Sequence, residues 1–69
     1  MADLTPAEAR VLRLLPTHLS TVQIAAELHR SRATVATQVT AIYQKLGATS
    51  RDEAVRRARE LGLLNGGPP

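Results

Sequence analysis

Apolar residues recur along this chain at spacings of three, four and seven positions, the pattern of helices with one buried face. Sustained alternation of apolar and polar positions, which would predict strands, does not occur in the sequence. The periodic segments predict helices at roughly 6–15, 21–28, 32–46 and 51–61. The predicted fold is therefore all-α, a four-helix bundle.

The apolar face of each predicted helix is expected to form the core. The residues on these faces are Val11, Leu12, Leu15, Ile24, Ala25, Leu28, Val35, Val39, Ile42, Leu46, Ala54, Val55, Ala58 and Leu61. Leu4 precedes the first helix in the position of a hydrophobic staple. Leu63 and Leu64 are expected to fold back and close the bottom of this core.

Residues that start and stop helices separate the four segments. Segments 5–8, 20–23 and 50–53 have the capping-box pattern, a Ser or Thr followed three positions later by Glu or Gln. Ser31 is expected to be a plain N-cap for the third helix. The first, third and fourth helices are expected to end at residues that break a helix or favour a left-handed backbone, namely Pro16, Gly47 and Gly62.

Composition and charge narrow the class of protein. The chain has 69 residues, no Cys and a formal net charge of +3, which fits one small domain, placed at 1–64, without disulfides or thiolate metal sites. Residues 65–69 are expected to form a disordered tail. No apolar run is long enough to span a membrane and no signal-peptide pattern is present, so we expect a soluble, cytoplasmic, nucleoid-associated protein.

The second and third predicted helices are separated by the short turn 29–31. Two helices joined by so short a turn cross steeply, and the small residues Ala25 and Ala26 are expected to allow the close approach. This is the helix-turn-helix arrangement, in which the second helix can enter the major groove of DNA. The net positive charge of the chain fits binding to DNA.

These features resemble the LuxR-type DNA-binding domain over residues 4–64. The resemblance is carried by LTPAE at 4–8, VLRLL at 11–15, IAAEL at 24–28, TV at 34–35, KLG at 45–47, SR at 50–51 and EAV at 53–55. Its details are most similar to regulators from actinobacteria. The resemblance implies a transcription regulator whose third helix reads the major groove and whose fourth helix supplies a dimer surface. Because the exposed residues of the fourth helix are mostly charged here, we expect the homodimer to be weak. The resemblance also implies an upstream regulatory domain, which is missing from this chain.

A helical projection of the third helix predicts the DNA-binding residues. The candidates are Arg30, Arg32, Ala33, Thr34, Ala36, Thr37, Thr40, Gln44, Lys45 and Arg51. The reading face is uncharged, since Ala36 stands where relatives usually have Lys. Thr37 and Thr40 are expected to contact thymine methyl groups or hydrogen-bond base edges, and Gln38 or Gln44 to pair with adenine. The basic residues at both ends of the helix are expected to clamp phosphates.

Other functions are less well supported by the residues. Ser20, Ser31 and Ser50 are explained as caps, and two isolated histidines make a poor metal site, so no enzyme, metal or cofactor is expected. The uncharged reading face leaves open a protein-interaction module with reduced or lost DNA binding. A promoter-reading region of a sigma factor is a third interpretation. The charges of the fourth helix are expected to pair at spacings of three and four, as in Asp52–Arg56, Glu53–Arg57 and Arg56–Glu60.

Overall fold

A computed structural model describes residues 3–64 of the chain. Its helices are α1 (Pro6–Leu14), α2 (Thr21–Glu27), α3 (Arg32–Leu46) and α4 (Arg51–Glu60), and no strand occurs between residues 3 and 64. The all-α prediction is confirmed, and each helix begins at the predicted residue. Three helices end one residue earlier than predicted, because Leu15, Leu28 and Leu61 act as caps. The expected tail, 65–69, lies outside the described residues.

The third helix, α3, packs against each of the other three helices and forms the centre of the domain. The buried core consists of Val11, Leu12, Leu15, Ile24, Ala25, Val35, Ile42, Leu46, Ala54, Val55 and Ala58. Leu4, Leu28, Val39, Leu63 and Leu64 are partly buried against this core. The apolar stripes predicted from the sequence therefore face inward, as expected of helices with one apolar face.

Two residues do not lie where the sequence analysis expected them. Leu61 is 51% exposed, because α4 ends before it and the chain then turns at Gly62, which has a φ of +74°. This turn brings Leu63 and Leu64 back onto the core in its place. Ala26 is exposed, so only Ala25 lies between the packed helices. The expectation that both small residues permit the close approach of α2 and α3 was wrong for Ala26.

The N-termini of the helices are closed by local side chains. The boxes at 5–8 and 20–23 are complete, with both reciprocal hydrogen bonds formed, and Ser31 accepts a hydrogen bond from the Thr34 amide. The third predicted box is only half formed, because Glu53 accepts from the Thr49 amide at 2.7 Å instead of from the Ser50 amide. Ser50 has a φ of −145°, and this extended backbone places the preceding amide within reach of the carboxylate.

Three helices end in the same left-handed turn, the Schellman motif. In each, the amide that follows the left-handed residue donates to a carbonyl five residues earlier: Arg30 to Ala25, Ala48 to Tyr43, and Leu63 to Ala58. The left-handed residue is glycine in the last two cases, as the sequence predicted. After α2 it is His29, with a φ of +56°. The sequence analysis missed this residue because it is not a glycine.

The left-handed backbone at His29 predicts a stabilising substitution. An L-residue with a side chain pays about 1–2 kcal/mol in this conformation, and glycine removes that strain but gains freedom in the unfolded chain. We expect His29→Gly to raise the free energy of unfolding by about 0.5 kcal/mol, the difference between these two effects. Urea denaturation followed by circular dichroism measures the change. His29→Ala keeps the strain and serves as the control, and a less stable glycine variant would contradict the prediction.

Candidate nucleic-acid interface

The turn between α2 and α3 places one long face of α3 in solvent. The Schellman turn at His29 ends α2, and Ser31 starts α3 one residue after Arg30. Val35, Ile42 and Leu46 then point into the core. Residues opposite them on a helix of 3.6 residues per turn must face outward.

The outward face of α3 is made of small, uncharged residues. The exposed members are Ala33, Ala36, Thr37, Thr40 and Gln44. Residues 33, 37, 40 and 44 follow one another at spacings of four and three, so they form one line along the helix. Gln38 and Ala41 are half-buried at its edge. The residues predicted for base contacts therefore share one surface, which we call the α3 face (residues 33, 36, 37, 40 and 44).

The two threonines of the α3 face have a defined orientation. The Thr37 hydroxyl donates to the Ala33 carbonyl at 3.0 Å, and the Thr40 hydroxyl donates to the Ala36 carbonyl at 3.1 Å. Each hydroxyl proton is thus directed to the helix backbone four residues earlier, a common arrangement of helical threonine. The hydroxyl oxygens keep a lone pair that can accept a hydrogen bond.

The N-terminus of α3 is the most electropositive part of this surface. Arg30 and Arg32 are exposed, and neither takes part in the ion pairs found among the described residues. The amides of Arg32 and Ala33 lie in the first turn, where a helix offers no internal acceptor, and the helix dipole adds partial positive charge. Thr34 accepts a hydrogen bond from the Ser31 hydroxyl at 2.8 Å, which leaves the Thr34 hydroxyl proton available to a ligand.

Lys45, predicted to contact phosphate, has partners inside the domain. Its ammonium donates to the Glu8 carboxylate of α1 and to the Asp3 carbonyl at 3.0 Å. Glu8 is buried, with 8% of its surface exposed, and also accepts from the Thr5 amide at 3.0 Å. The hydrogen bond from Lys45, followed by that from Thr5, holds the pKa of Glu8 below its ordinary value of 4.5. Lys45 therefore ties the end of α3 to α1.

Arg51, the other predicted cation beyond the end of α3, also has internal partners. Its guanidinium donates to the Leu15 carbonyl at 2.9 Å, to the Thr17 carbonyl at 2.9 Å and to the Leu14 carbonyl at 3.4 Å. These carbonyls lie at the end of α1, which does not close with a left-handed residue. Arg51 thus donates to carbonyls at the end of α1. The corresponding carbonyls of α3 and α4 are paired within the turns formed by their glycines. The sequence analysis missed this role.

The charged residues of α4 pair differently from the predicted pattern. Among the described residues of α4, the one ion pair joins Arg56 to Glu53 at 3.6 Å. The Glu53 carboxylate accepts hydrogen bonds from the Thr49 amide and hydroxyl, and these bonds lower its pKa. The pairs Asp52–Arg56, Glu53–Arg57 and Arg56–Glu60 are not formed. The exposed side chains of α4 therefore remain mostly solvated.

The lowered pKa of Glu8 predicts how Lys45 contributes to stability. A carboxyl whose pKa is lower in the folded state stabilises the fold above its unfolded pKa, and this contribution is lost as the pH falls. We expect Lys45→Met to destabilise the domain by about 1 kcal/mol at pH 7. The difference from the unmodified domain should shrink as the pH falls below about 5. Urea denaturation at several pH values measures it.

Glu8→Gln provides the control for this pH dependence. Glutamine keeps an acceptor for the Thr5 amide but does not titrate, so Lys45→Met in that background should show no pH-dependent difference. A difference that persists unchanged at low pH would show that Lys45 acts by packing instead of by its charge.

Other kinds of site find little support in the described part of the chain. No group of three or more His, Cys, Asp or Glu residues that could hold a metal ion occurs in residues 3–64. None of the described helices is long and apolar enough to cross a membrane. An open groove of about 460 Å³ lies between α4 and the loop that joins α1 to α2. Pro16, His18 and Arg59 are among the residues that line it. It includes no residue of α3 and is separate from the α3 face.

The fold and the exposed α3 together define a helix-turn-helix domain. A family described as "Bacterial regulatory proteins, luxR family" matches residues 2–58 of the chain. The chain therefore belongs to the luxR family of bacterial regulatory proteins. This confirms the resemblance drawn from the sequence, and it identifies a domain of the transcription-regulator class and not an enzyme.

Individual relatives agree with this assignment. The chain is 44% identical over 62 residues to the transcriptional regulatory protein YdfI of Bacillus subtilis, which covers 90% of the chain and 29% of the relative. It is 43% identical over 65 residues to the HTH-type transcriptional regulator MalT of Serratia proteamaculans, with 94% of the chain and 7% of the relative covered. The chain thus spans less than a third of the length of either relative.

Proposed function

We propose that this domain binds double-stranded DNA with the α3 face in the major groove and with Arg30 and Arg32 against phosphates. The observation that carries the proposal is the α3 face itself, which is exposed, uncharged and preceded by two exposed arginines. Small side chains allow the helix backbone to come close to the base edges, and the cations at the N-terminal end of the helix suit contact with DNA phosphates.

The dimensions of α3 suit this geometry. Its 15 residues extend over about 22 Å, and its N-terminal half fits into a groove about 12 Å wide. The amides of Arg32 and Ala33 face the same end as the two arginines, so a phosphate there would meet both backbone donors and cations. Ser31 and Thr34 lie in the same turn. Residues 30–34 are accordingly the proposed phosphate site.

Lys45 and Arg51 take a supporting place in this proposal. Binding a phosphate would require Lys45 to leave Glu8, or Arg51 to leave the carbonyls that end α1. Because both losses would weaken the packing that holds α3, we assign these residues mainly to positioning the helix. The proposed base contacts come from Thr37, Thr40 and Gln44.

A salt titration of binding to duplex DNA tests the proposed function. A protein that neutralises two or three phosphates should lose affinity as salt rises, with a slope of about −0.9 for each contact. Chemical-shift changes should concentrate at Arg30, Arg32 and Thr37. A slope near zero, without shifts at these residues, would overturn the proposal.

The assembly of the domain is part of the same proposal. We infer that it works as a homodimer through α4 and under the control of a preceding regulatory domain in a longer chain. The exposed surface of α4 is mostly charged, so association of the isolated domain should be weak and should strengthen on DNA. Sedimentation at micromolar concentration should show a monomer without DNA, and a tight dimer would contradict this.

One observation favours a second function, a protein-interaction module with reduced DNA binding. Ala36 leaves the α3 face without a cation, and small residues also suit packing against another helix. Retention of a protein partner after nuclease treatment, together with no measurable affinity for DNA, would support this alternative.

A further inference from the structure

The α3 face presents methyl groups where a reading helix often presents polar groups. Ala33 and Ala36 end in methyl groups, and both are exposed. Thr37 and Thr40 turn their hydroxyl protons to the backbone, so each side chain can offer a base edge its γ-methyl group and an accepting oxygen but no donor. Four methyl groups therefore cover the N-terminal half of the face.

In the major groove, one ordinary base offers an apolar partner for such a surface. Thymine carries a C5-methyl group there, whereas guanine, cytosine and adenine present hydrogen-bond donors and acceptors. A methyl group placed against these polar edges would leave them without partners after water is removed, which is unfavourable. Thymine can place its methyl group against the α3 face and bury apolar surface on both sides.

We propose that the domain selects its DNA site by the C5-methyl groups of thymine, with Thr37 and Thr40 as the specificity-determining residues. This inference rests on the proposed function, since it concerns how the bound DNA is distinguished. The distance along the axis from residue 33 to residue 40 is about 10 Å. The methyl groups therefore span about three base pairs at 3.4 Å each.

Substitution of thymine by uracil in the DNA tests this inference. The probe is a 20-bp duplex selected by the domain from a random pool, compared with the same duplex carrying deoxyuridine at one thymine at a time. Uracil keeps every hydrogen-bonding group and the charge of thymine and lacks only the methyl group. We expect affinity to fall about fourfold for each contacted methyl group that is removed.

Two variants of Thr37 separate the methyl group from the hydroxyl. Thr37→Val keeps a methyl group at this place and lacks the hydroxyl, so it should stay sensitive to the replacement of thymine by uracil. Thr37→Ser keeps the hydroxyl and lacks the methyl group, so it should bind both duplexes with nearly equal affinity. Thr37 is exposed on its helix, so we expect both variants to fold, and circular dichroism checks this. At Thr40, the serine variant should lose sensitivity at a different thymine, and the valine variant should keep it.

The outcomes distinguish this inference from the proposed function. Equal affinity for the thymine and uracil duplexes, with a normal salt slope, would overturn the methyl readout and leave DNA binding in place. A Thr37→Ser variant that stays as sensitive as the unmodified domain would overturn the role of Thr37. Failure to bind any duplex at low salt would overturn both. Loss of affinity confined to single thymines, abolished in the serine variant, is the expected result.

Discussion

Arg51→Ala is expected to lower the free energy of unfolding by about 2 kcal/mol and the melting temperature by about 10 °C. The guanidinium donates to three carbonyls at the end of α1. Alanine leaves the Leu15 and Thr17 carbonyls to solvent, whereas the Leu14 carbonyl still accepts from the Thr17 amide and hydroxyl. For a domain of 69 residues, whose total stability is on the order of 3–10 kcal/mol, this is a large loss. Urea and thermal denaturation followed by circular dichroism measure it.

The position of Arg51 gives this prediction a definite sign. Arg51 is the first residue of α4, where the positive end of the helix dipole disfavours a cation. If its contacts with α1 contributed nothing, the removal of the charge would leave stability unchanged or increase it. A variant as stable as the unmodified domain would therefore show that the contacts are not formed in solution.

Two further variants separate geometry from charge. Arg51→Lys keeps the charge but replaces a planar fork by one ammonium, which cannot reach all three carbonyls, so an intermediate loss is expected. Arg57→Ala removes an exposed arginine from the same helix and should change stability by less than about 0.5 kcal/mol. At a temperature where Arg51→Ala remains folded, its salt slope for DNA should equal that of the unmodified domain, because the residue positions α3.

The helix starts were predicted correctly because capping is local. A Ser or Thr and the residue three positions later lie in one turn, so the sequence shows both partners together. The half-formed box at Ser50 departs from the prediction because it depends on a backbone angle. The left-handed turn at His29 escaped prediction for a similar reason, since only glycine signals such a turn clearly in a sequence.

The candidate site was predictable to the extent that it lies opposite the core. Once Val35, Ile42 and Leu46 are placed inside, the period of the helix fixes which residues face outward. The internal partners of Lys45 and Arg51 were not predictable, because those contacts join residues 37 and 36 positions apart. Their charge was visible in the sequence, but what each charge contacts depends on tertiary packing.

These contacts change which of the cations that contribute to the net charge of +3 are available to attract DNA. Cations at both ends of α3 first suggested a clamp with two sides. With Lys45 bound to Glu8 and Arg51 bound to the end of α1, Arg30 and Arg32 are the cations next to the α3 face that pair with no other described side chain. The proposed attraction for the DNA backbone is therefore concentrated at the N-terminal end of α3. The methyl groups of the α3 face lie next to this end, toward the C-terminus of the helix.

The double variant Arg30→Ala/Arg32→Ala is expected to lose about 60-fold in affinity for duplex DNA at 0.1 M salt. Each phosphate contact adds about 0.9 to the salt slope, which corresponds to about eightfold in affinity at that salt concentration. The loss should be the same for selected and random duplexes, because phosphates carry no sequence information. Fluorescence anisotropy over a series of salt concentrations measures both the affinity and the slope.

Arg10→Ala/Arg13→Ala is the matched control, since it removes the same charge from exposed positions of α1. We expect it to change affinity less than threefold and to leave the slope near its original value, because distant charges are screened by salt. Folding should survive in the Arg30/Arg32 variant, since both side chains are exposed and a cation in the first turn of a helix is not stabilising. If both double variants lost affinity equally, the attraction would come from the overall charge of the domain, and residues 30–34 would have no special role in holding DNA.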